Sequence, residues 1–156
     1  MTDVELIERL KADLGDRVEI ANPARRRLFL KIAPRDLVSV TTRLRDAYGV
    51  VFLSTISGVD SGAGFEIVYH FSTPEHDFNL RTEIPKDDPR IASITPVIPG
   101  AILYEREIQD MFGIVVDGIP DGRRLVLPDD WPEGQFPLRK DWTFVRPEEV
   151  IPGGKS

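Results

Sequence analysis

The fold of this 156-residue chain is organised around one stretch, Tyr104-Glu105-Arg106-Glu107-Ile108-Gln109-Asp110-Met111-Phe112-Gly113. Apolar side chains recur along it at the spacing of one helix face. They are Tyr104, Ile108, Met111 and Phe112. Gly113 follows where the end of a helix favours glycine. The stretch therefore predicts a helix with one side buried against a core.

The other side of this predicted helix carries both signs of charge. Arg106 and Asp110 are four residues apart, a spacing at which they can form an ion pair. Glu105 and Glu107 lie early in the helix, where its dipole favours negative charge. Residues two apart point to different sides of a helix, so only Glu107 and Asp110 share a face. These charges fit burial on assembly better than catalysis, and an acid–base pair of Glu107 and Asp110 is the alternative.

A basic, proline-rich segment follows, from Pro120 to Asp141. Its prolines limit helices and strand ladders, so its backbone groups are expected to meet water or a partner. Its large apolar side chains are Trp131, Phe136, Leu138 and Trp142, and its basic ones are Arg123, Arg124, Arg139 and Lys140. An aromatic anchor among arginines is typical of an interface hot spot. We therefore predict an α+β domain over residues 1–118 and an extended partner-binding tail over residues 119–156.

Composition narrows the classes of function. The apolar fraction of 41% and charged fraction of 29% are those of a globular protein. A net charge of -6 argues against nucleic acid as a partner. The protein has no cysteine, which excludes thiolate-bound iron–sulfur clusters, thiolate zinc sites and disulfides within it. No uncharged run resembles a signal peptide or a membrane span, so we expect a cytoplasmic location and only indirect membrane contact.

Periodicity elsewhere predicts a mixture of helices and strands. The predicted helices are 3–14, with Val4, Leu6, Ile7, Leu10 and Leu14 on its apolar side, and 34–49. The predicted strands are 17–21, 27–32, 50–56, 65–71 and 77–84, with a turn at Asn22-Pro23 and a hairpin turn at 72–75. Residues 85–100 are predicted to be a loop. This order predicts an α+β fold, a single mixed sheet with helices packed on it, followed by an extended C-terminal tail.

Two further patterns bear on ligand binding. The glycine-rich run 57–64 precedes a strand pattern and not a helix, which disfavours a phosphate loop. The only histidines, His70 and His76, flank a short turn without neighbouring cysteines. Hydrogen-bonded histidines are therefore favoured over metal ligands.

Four motifs in the second half resemble the 30-kDa subunit family of respiratory complex I and of the related membrane-bound nickel–iron hydrogenases. They are Glu105-Arg106-Glu107-x-x-Asp110-Met111-Phe112-Gly113, Gly118-x-Pro120-Asp121-x-Arg123-Arg124-Leu125, Leu127-Pro128-Asp129-Asp130-Trp131 and Pro137-Leu138-Arg139-Lys140-Asp141. Ile119 departs from the pattern, because respiratory members usually carry histidine there. Ile119 and the run 130–134 together make the sequence more similar to the hydrogenase or formate-hydrogenlyase branch.

The resemblance implies a cofactor-free structural subunit in the hydrophilic arm of a membrane-bound hydrogenase or of an NADH:quinone oxidoreductase. Such a subunit docks the large catalytic subunit and the small iron–sulfur subunit, whose electron transfer is coupled to ion translocation. Iron–sulfur clusters, and a nickel–iron centre in the hydrogenase branch, belong to those partners. The implied location is peripheral, on the cytoplasmic side of the membrane. The implied interface residues are Glu105, Arg106, Glu107, Asp110, Met111, Phe112, Pro120, Arg123, Arg124, Asp130, Trp131, Pro137, Leu138, Arg139, Lys140 and Asp141.

Overall fold

The computed structural model describes residues 1–144. The α-helices in this part of the protein are α1 Asp3–Leu14, α2 Leu37–Tyr48 and α3 Ile102–Phe112. The strands are β1 Val18–Ala24, β2 Arg27–Ile32, β3 Phe52–Asp60, β4 Gly64–Ser72, β5 Asp77–Pro85, β6 Arg90–Ala92 and β7 Val115–Asp117. None of the described helices is long and apolar enough to cross a membrane.

The main sheet has five strands in the order β1-β2-β5-β4-β3. The β2–β5 pair is parallel and the other pairs are antiparallel, so the sheet is mixed. Alternate residues of β2, β4 and β5 join the helices in one apolar core, among them Leu30, Tyr69 and Leu80. The prediction of an α+β fold with helices packed on a mixed sheet is confirmed.

Helix α1 begins and ends where the sequence predicts. Thr2 forms a capping box with Glu5, and Gly15 ends the helix with a φ of 57°. Leu6, Leu10 and Leu14 are buried on the core side. The expectation for Val4 was wrong, because its side chain is 66% exposed.

The first hairpin turns later than predicted. Strand β1 continues through Asn22 to Ala24, with irregular pairing between Ala21 and Ala24. The turn falls at residues 25–26, where Arg26 adopts a φ of 65°. The Asp3 carboxylate accepts hydrogen bonds from the Asn22 side chain and the Arg26 backbone N–H. These contacts with α1 fix a turn that local sequence does not signal.

Strand β3 includes the first residues of the glycine-rich run. The strand continues to Asp60 instead of ending at Ile56. At Gly58 the ring of Phe112 lies so close that a Cβ atom would sit 2.5 Å from it. The glycine therefore allows α3 to pack against β3, which gives it a packing role.

The segment 85–100 was predicted as a loop, but it contains β6. This short strand pairs in parallel with β7 in a second, two-stranded sheet, with Ile91 opposite Val116. Each strand has three residues, too few for a periodic signal. The segment also supplies Ile94 to the core, and it leads into α3, which begins at Ile102, two residues before the predicted Tyr104.

Beyond β7, residues 118–144 contain no helix or strand. This agrees with the predicted extended tail, although the segment makes several turns. The remainder of the predicted tail, residues 145–156, lies outside the described residues.

Candidate partner interface on helix α3 and the tail

Glu105 fixes α3 to the segment that precedes it. Its side chain has no exposed surface and accepts hydrogen bonds of 2.7 Å from the Ser93 hydroxyl and from the Ile94 backbone N–H. Burial raises the pKa of the Glu105 carboxyl above its ordinary value, and the two hydrogen bonds oppose this change. Because Glu105 is enclosed by its own protein, it offers no surface to a partner in this structure.

Arg106 holds the beginning of the tail. Its Nε donates to the carbonyl of Arg123 at 2.7 Å, and a terminal nitrogen donates to the carbonyl of Arg124 at 2.8 Å. The Asp121 carboxylate lies 3.8 Å from the other terminal nitrogen. The ion pair that the four-residue spacing of Arg106 and Asp110 allows is not formed, because the tail carbonyls take the guanidinium instead.

Asp110 receives the next residues of the tail. Its Oδ2 accepts hydrogen bonds from the backbone N–H groups of Leu125, Val126 and Leu127 at 2.9, 2.8 and 3.2 Å. The side chain is 7% exposed. Three successive N–H groups around one oxygen form a concave anion-binding turn. The carboxylate therefore fixes the path of a segment that has no strand partner.

The alternative catalytic pair is not assembled. Asp110 directs Oδ2 into the tail backbone, whereas Glu107 is exposed one turn earlier on α3. Neither residue lines any of the main cavities formed by the described residues. The two carboxylates do not converge on a common site, so an acid–base enzyme is not favoured.

The C-terminal end of α3 receives a second part of the tail. The Met111 carbonyl accepts a hydrogen bond from the Leu138 backbone N–H at 3.1 Å. Gly113 ends the helix with a φ of 70°, and a Cβ atom there would lie 2.5 Å from the Phe136 ring. The predicted helix end is confirmed, and the glycine has the additional role of admitting this ring. Phe112 itself is buried against Phe65, with ring centroids 5.8 Å apart.

Arg139 lies between two aromatic rings beside this helix end. Its guanidinium is 5.1 Å from the centroid of the Phe65 ring and 4.7 Å from that of the Phe136 ring. Its Nε donates to the Phe112 carbonyl at 2.6 Å. Cation–π contacts of this kind contribute about 0.5–1 kcal/mol at exposed sites and more when desolvated. Arg139 thus joins the tail, α3 and β4.

Asp60, at the end of β3, closes the tail onto the domain. Its carboxylate accepts hydrogen bonds of 2.9 Å from the Lys140 backbone N–H, the Lys86 ammonium and the Gly62 backbone N–H. These donors, Lys140 first, hold the pKa of Asp60 far below its usual range. The sequence does not signal this role of Asp60. An aspartate before a glycine-rich turn is ordinary, and nothing local indicates a donor 80 residues away.

An aromatic groove lies in the described end of the tail. It is lined by Asp130, Trp131, Pro132, Gln135, Trp142, Thr143 and Phe144, with a volume of about 420 Å³. The Trp131 and Trp142 rings lie 5.9 Å apart at an angle of 32°. Both indole N–H groups donate to Gln135, Trp131 to its carbonyl and Trp142 to its side-chain oxygen. The groove is therefore built by the tail itself.

The other predicted interface residues lie along the same segment. Arg123 is exposed and pairs with Asp121 at 2.8 Å. Arg124 donates to the carbonyls of Pro128, Asp129 and Trp131. Exposed positions are Pro120, Asp130, Leu138, Lys140 and Asp141, and Pro137 is half-buried. The structure thus brings the predicted residues together along α3 and the tail, apart from the enclosed Glu105 and the core residue Phe112.

Both histidines are hydrogen-bonded, in separate networks. His70 bonds Ser57 at 3.0 Å and Asn79 at 2.7 Å on the sheet, while His76 lies 3.0 Å from the Asp3 carboxylate. No group of three or more potential metal-ligating side chains is found in the described part of the protein. The histidines therefore join elements of the fold.

The mixed sheet, the charged helix α3 and the strand-free tail anchored to it define a small α+β domain. The chain belongs to the family of the 30-kDa subunit of the respiratory-chain NADH dehydrogenase, whose model matches residues 30–148. This confirms the resemblance found in the sequence motifs.

Relatives occur in both branches named by the motifs. A subunit of the NADH-quinone oxidoreductase of Mesorhizobium japonicum is 39% identical over 152 residues, covering 94% of this chain and 75% of the relative. Formate hydrogenlyase subunit 5 of Escherichia coli K12 is 42% identical over 96 residues, covering 58% of this chain. This second match spans only 17% of that relative's length.

Solved structures share the fold. A chain of the membrane-bound sulfane sulfur reductase, an archaeal respiratory membrane complex, superposes with a TM-score of 0.82 at 22% identity, covering 91% of this chain and 86% of that one. The trypsin-resistant fragment 1–134 of Nqo5 gives a TM-score of 0.64 at 25% identity, covering 78% of this chain and 99% of the fragment. The first likeness shows the fold alone.

Proposed function

We propose that this protein is a non-catalytic subunit in the hydrophilic arm of a complex I-related oxidoreductase, where it docks the large catalytic subunit and the small iron–sulfur subunit. One observation carries the proposal: Arg106 and Asp110 bind tail backbone and do not line a pocket. These two charged side chains of α3 therefore hold the tail in place, and together α3 and the tail form a surface. Large apolar side chains are exposed on that surface, namely those of Leu125, Val126, Leu138 and Phe144. A contiguous patch of such side chains is typical of a protein-binding site, and we propose that these residues contribute to one.

The comparisons support a large partner. In formate hydrogenlyase subunit 5 the similar region is only 17% of the protein, so there the region is covalently joined to a much larger polypeptide. A separate chain with the same fold needs a non-covalent surface to hold such a neighbour. We assign that role to α3 and the tail.

The solved Nqo5 fragment supports a division between domain and tail. That protein was solved as a trypsin-resistant fragment, residues 1–134, which covers 78% of this chain. We infer that here too the sheet and helices form the resistant domain, and that the tail, which Asp110 and Asp60 hold to that domain, gains further protection when a partner covers it.

We assign electron transfer to the partners. A protein without cysteine cannot supply thiolate ligands to iron–sulfur clusters. Metal analysis and an absorption spectrum of the purified protein test this assignment. We expect no stoichiometric transition metal and no visible band, and either signal would contradict it.

The proposed location is peripheral, on the cytoplasmic side of the membrane, with contact through the partners only. The branch, quinone reductase or hydrogenase, follows from the large subunit that co-purifies with this protein. Nickel-ligating cysteines in that subunit assign the hydrogenase branch, and their absence assigns the quinone-reductase branch.

Co-purification tests the proposal directly. The protein is co-expressed with the large and small subunits of the complex from the same organism, and their recovery on a tagged copy is measured. Trp131→Ala is expected to weaken binding of the large subunit by about 2 kcal/mol, which is about thirtyfold. Phe52→Ala removes an exposed aromatic side chain at the start of β3, the strand end opposite Asp60, and is expected to bind normally. Failure of the unaltered protein to capture either subunit would refute the docking function.

A further inference from the structure

The arginines of α3 and of the tail up to residue 144 are already engaged within the protein. Arg106 and Arg124 donate to tail carbonyls, and Arg123 pairs with Asp121. Arg139 donates to the Phe112 carbonyl and stacks between two phenyl rings. These side chains hold the tail together, and none of the four lines the aromatic groove.

The charged side chain that does line the groove is a carboxylate. Asp130 lines it, and Asp129 and Glu133 flank it in sequence. All three are exposed, and none forms an ion pair with any residue between 1 and 144. The groove therefore has one carboxylate without an ion-pair partner in its described lining, in contrast to the basic character that the tail sequence suggests.

The floor of the groove suits a cation. Both indole N–H donors are occupied by Gln135, and the indole rings remain beside the open volume. The face of an indole ring attracts a guanidinium or ammonium group, more strongly than other aromatic rings do. A carboxylate within reach adds a charge-assisted hydrogen bond. Pro132 and Phe144 supply apolar walls for the stem of a long side chain.

We propose that this groove binds the guanidinium or ammonium group of an arginine or lysine on an extended segment of the large catalytic subunit. The inference rests on the docking function proposed above and names the chemistry of the partner at that site. The cation lies in the groove against the indole faces that line it, within reach of the Asp130 carboxylate. Acidic and uncharged segments bind more weakly because they lack this electrostatic attraction.

Charge reversal in the complex gives the first test. A double variant, Asp130→Lys with Glu133→Lys, is expected to bind the large subunit at least about tenfold more weakly, with a smaller dependence on salt concentration. The control Glu8→Lys makes a like change on the exposed side of α1, far from the tail in sequence. Unchanged circular dichroism and melting temperature establish that the double variant folds. Equal affinity of the double variant and wild type would overturn the inference but leave the docking function intact.

Intrinsic fluorescence gives a second test on the whole protein, because its only two tryptophans both line the groove. The probes are the peptide acetyl-Gly-Pro-Arg-Pro-Gly-amide and the same peptide with neutral citrulline in place of arginine. The arginine peptide is expected to change the emission with an affinity at least about tenfold higher than the citrulline peptide.

Two outcomes would overturn the inference in this assay. Equal binding of the two peptides would show that charge is not recognised. Binding of the arginine peptide only after Arg146→Ala would identify this protein's own arginine as the occupant. Loss of the arginine preference in the Asp130→Lys, Glu133→Lys variant would support the proposed site, since that variant keeps both tryptophans.

Discussion

Arg106 and Asp110 lie one turn apart on α3, yet they bind the tail instead of each other. The guanidinium donates to the carbonyls of Arg123 and Arg124, and the carboxylate accepts from the backbone N–H groups of residues 125–127. One side chain supplies donors and the other an acceptor. A single helical turn therefore satisfies both kinds of backbone group in a segment without a strand ladder.

The first prediction concerns Asp110→Ala. Removal of the carboxylate leaves three tail N–H groups without their acceptor, and hydrogen bonds to charged groups contribute about 1.5–3 kcal/mol. We expect hydrogen exchange at residues 125–127 of the isolated protein to accelerate by about tenfold or more. Exchange in β4 and β5 should remain slow, because those strands do not depend on this contact.

Glu107→Ala is the matched control, since it removes an exposed carboxylate from the same helix. It should leave exchange at residues 125–127 unchanged. Equal exchange rates in the wild type and the Asp110→Ala variant would show that this carboxylate does not hold the tail.

The second prediction compares Arg106→Ala with Lys11→Ala. The Arg106 side chain is only 13% exposed and bridges two tail carbonyls, whereas Lys11 is exposed on α1. We expect Arg106→Ala to weaken binding of the large subunit by about 1–3 kcal/mol, because the tail loses its first anchor. Lys11→Ala should leave binding unchanged. Arg106→Lys should be intermediate, since an ammonium lacks the planar fork that spans both carbonyls. The measurement is a quantitative pull-down, and equal recovery of all variants would contradict the prediction.

Residue periodicity and helix-end signals correctly predicted those elements that depend mainly on neighbouring residues in the sequence. Strand β2 falls where alternation placed it, and Gly113 ends α3 in the left-handed conformation. The i, i+4 rule failed for Arg106 because that pair is worth only about 0.2–0.5 kcal/mol, less than hydrogen bonds to unpaired backbone groups. The contact of Asp60 with Lys140 could not be predicted either, since it depends on where the tail returns in space.

The third prediction concerns pH and Glu105. Its folded-state pKa is raised by burial, so the native state binds more protons than the unfolded protein above the ordinary pKa of 4.5. The Glu105 contribution to stability is therefore greatest below that pH and declines as pH rises through the folded-state pKa. Glu105→Gln can accept from the Ile94 N–H and donate to Ser93 without ionising. Between about pH 4 and about pH 8, the melting temperature of Glu105→Gln should rise relative to that of the wild type as the pH increases.

Glu105→Ala serves as the contrasting variant. It leaves the Ile94 N–H without an acceptor and opens a cavity, which together should destabilise the fold by about 2–4 kcal/mol. A constant difference in melting temperature between wild type and Glu105→Gln over the whole pH range would show that Glu105 does not titrate differently on folding.

The fourth prediction concerns the closure of the tail by Asp60. In Asp60→Asn an amide N–H₂ group replaces one carboxylate oxygen and removes the negative charge that attracts Lys86. The Lys140 backbone N–H then loses its charged acceptor, and residues 136–141 should leave the domain more often. We expect trypsin to cleave after Arg139 or Lys140 at least about tenfold faster in the variant, as followed by mass spectrometry.

Asp16→Asn is the matched control for this cleavage, because it changes an exposed aspartate away from the tail and should be cleaved at the wild-type rate. The pKa of Asp60 is strongly lowered in the folded state, so its contribution to stability is complete above the ordinary value of 3.8. That contribution is lost only as pH falls through the folded-state pKa. Wild-type cleavage near neutral pH should therefore be slow, and a variant cleaved no faster than wild type would show that Asp60 does not close the tail.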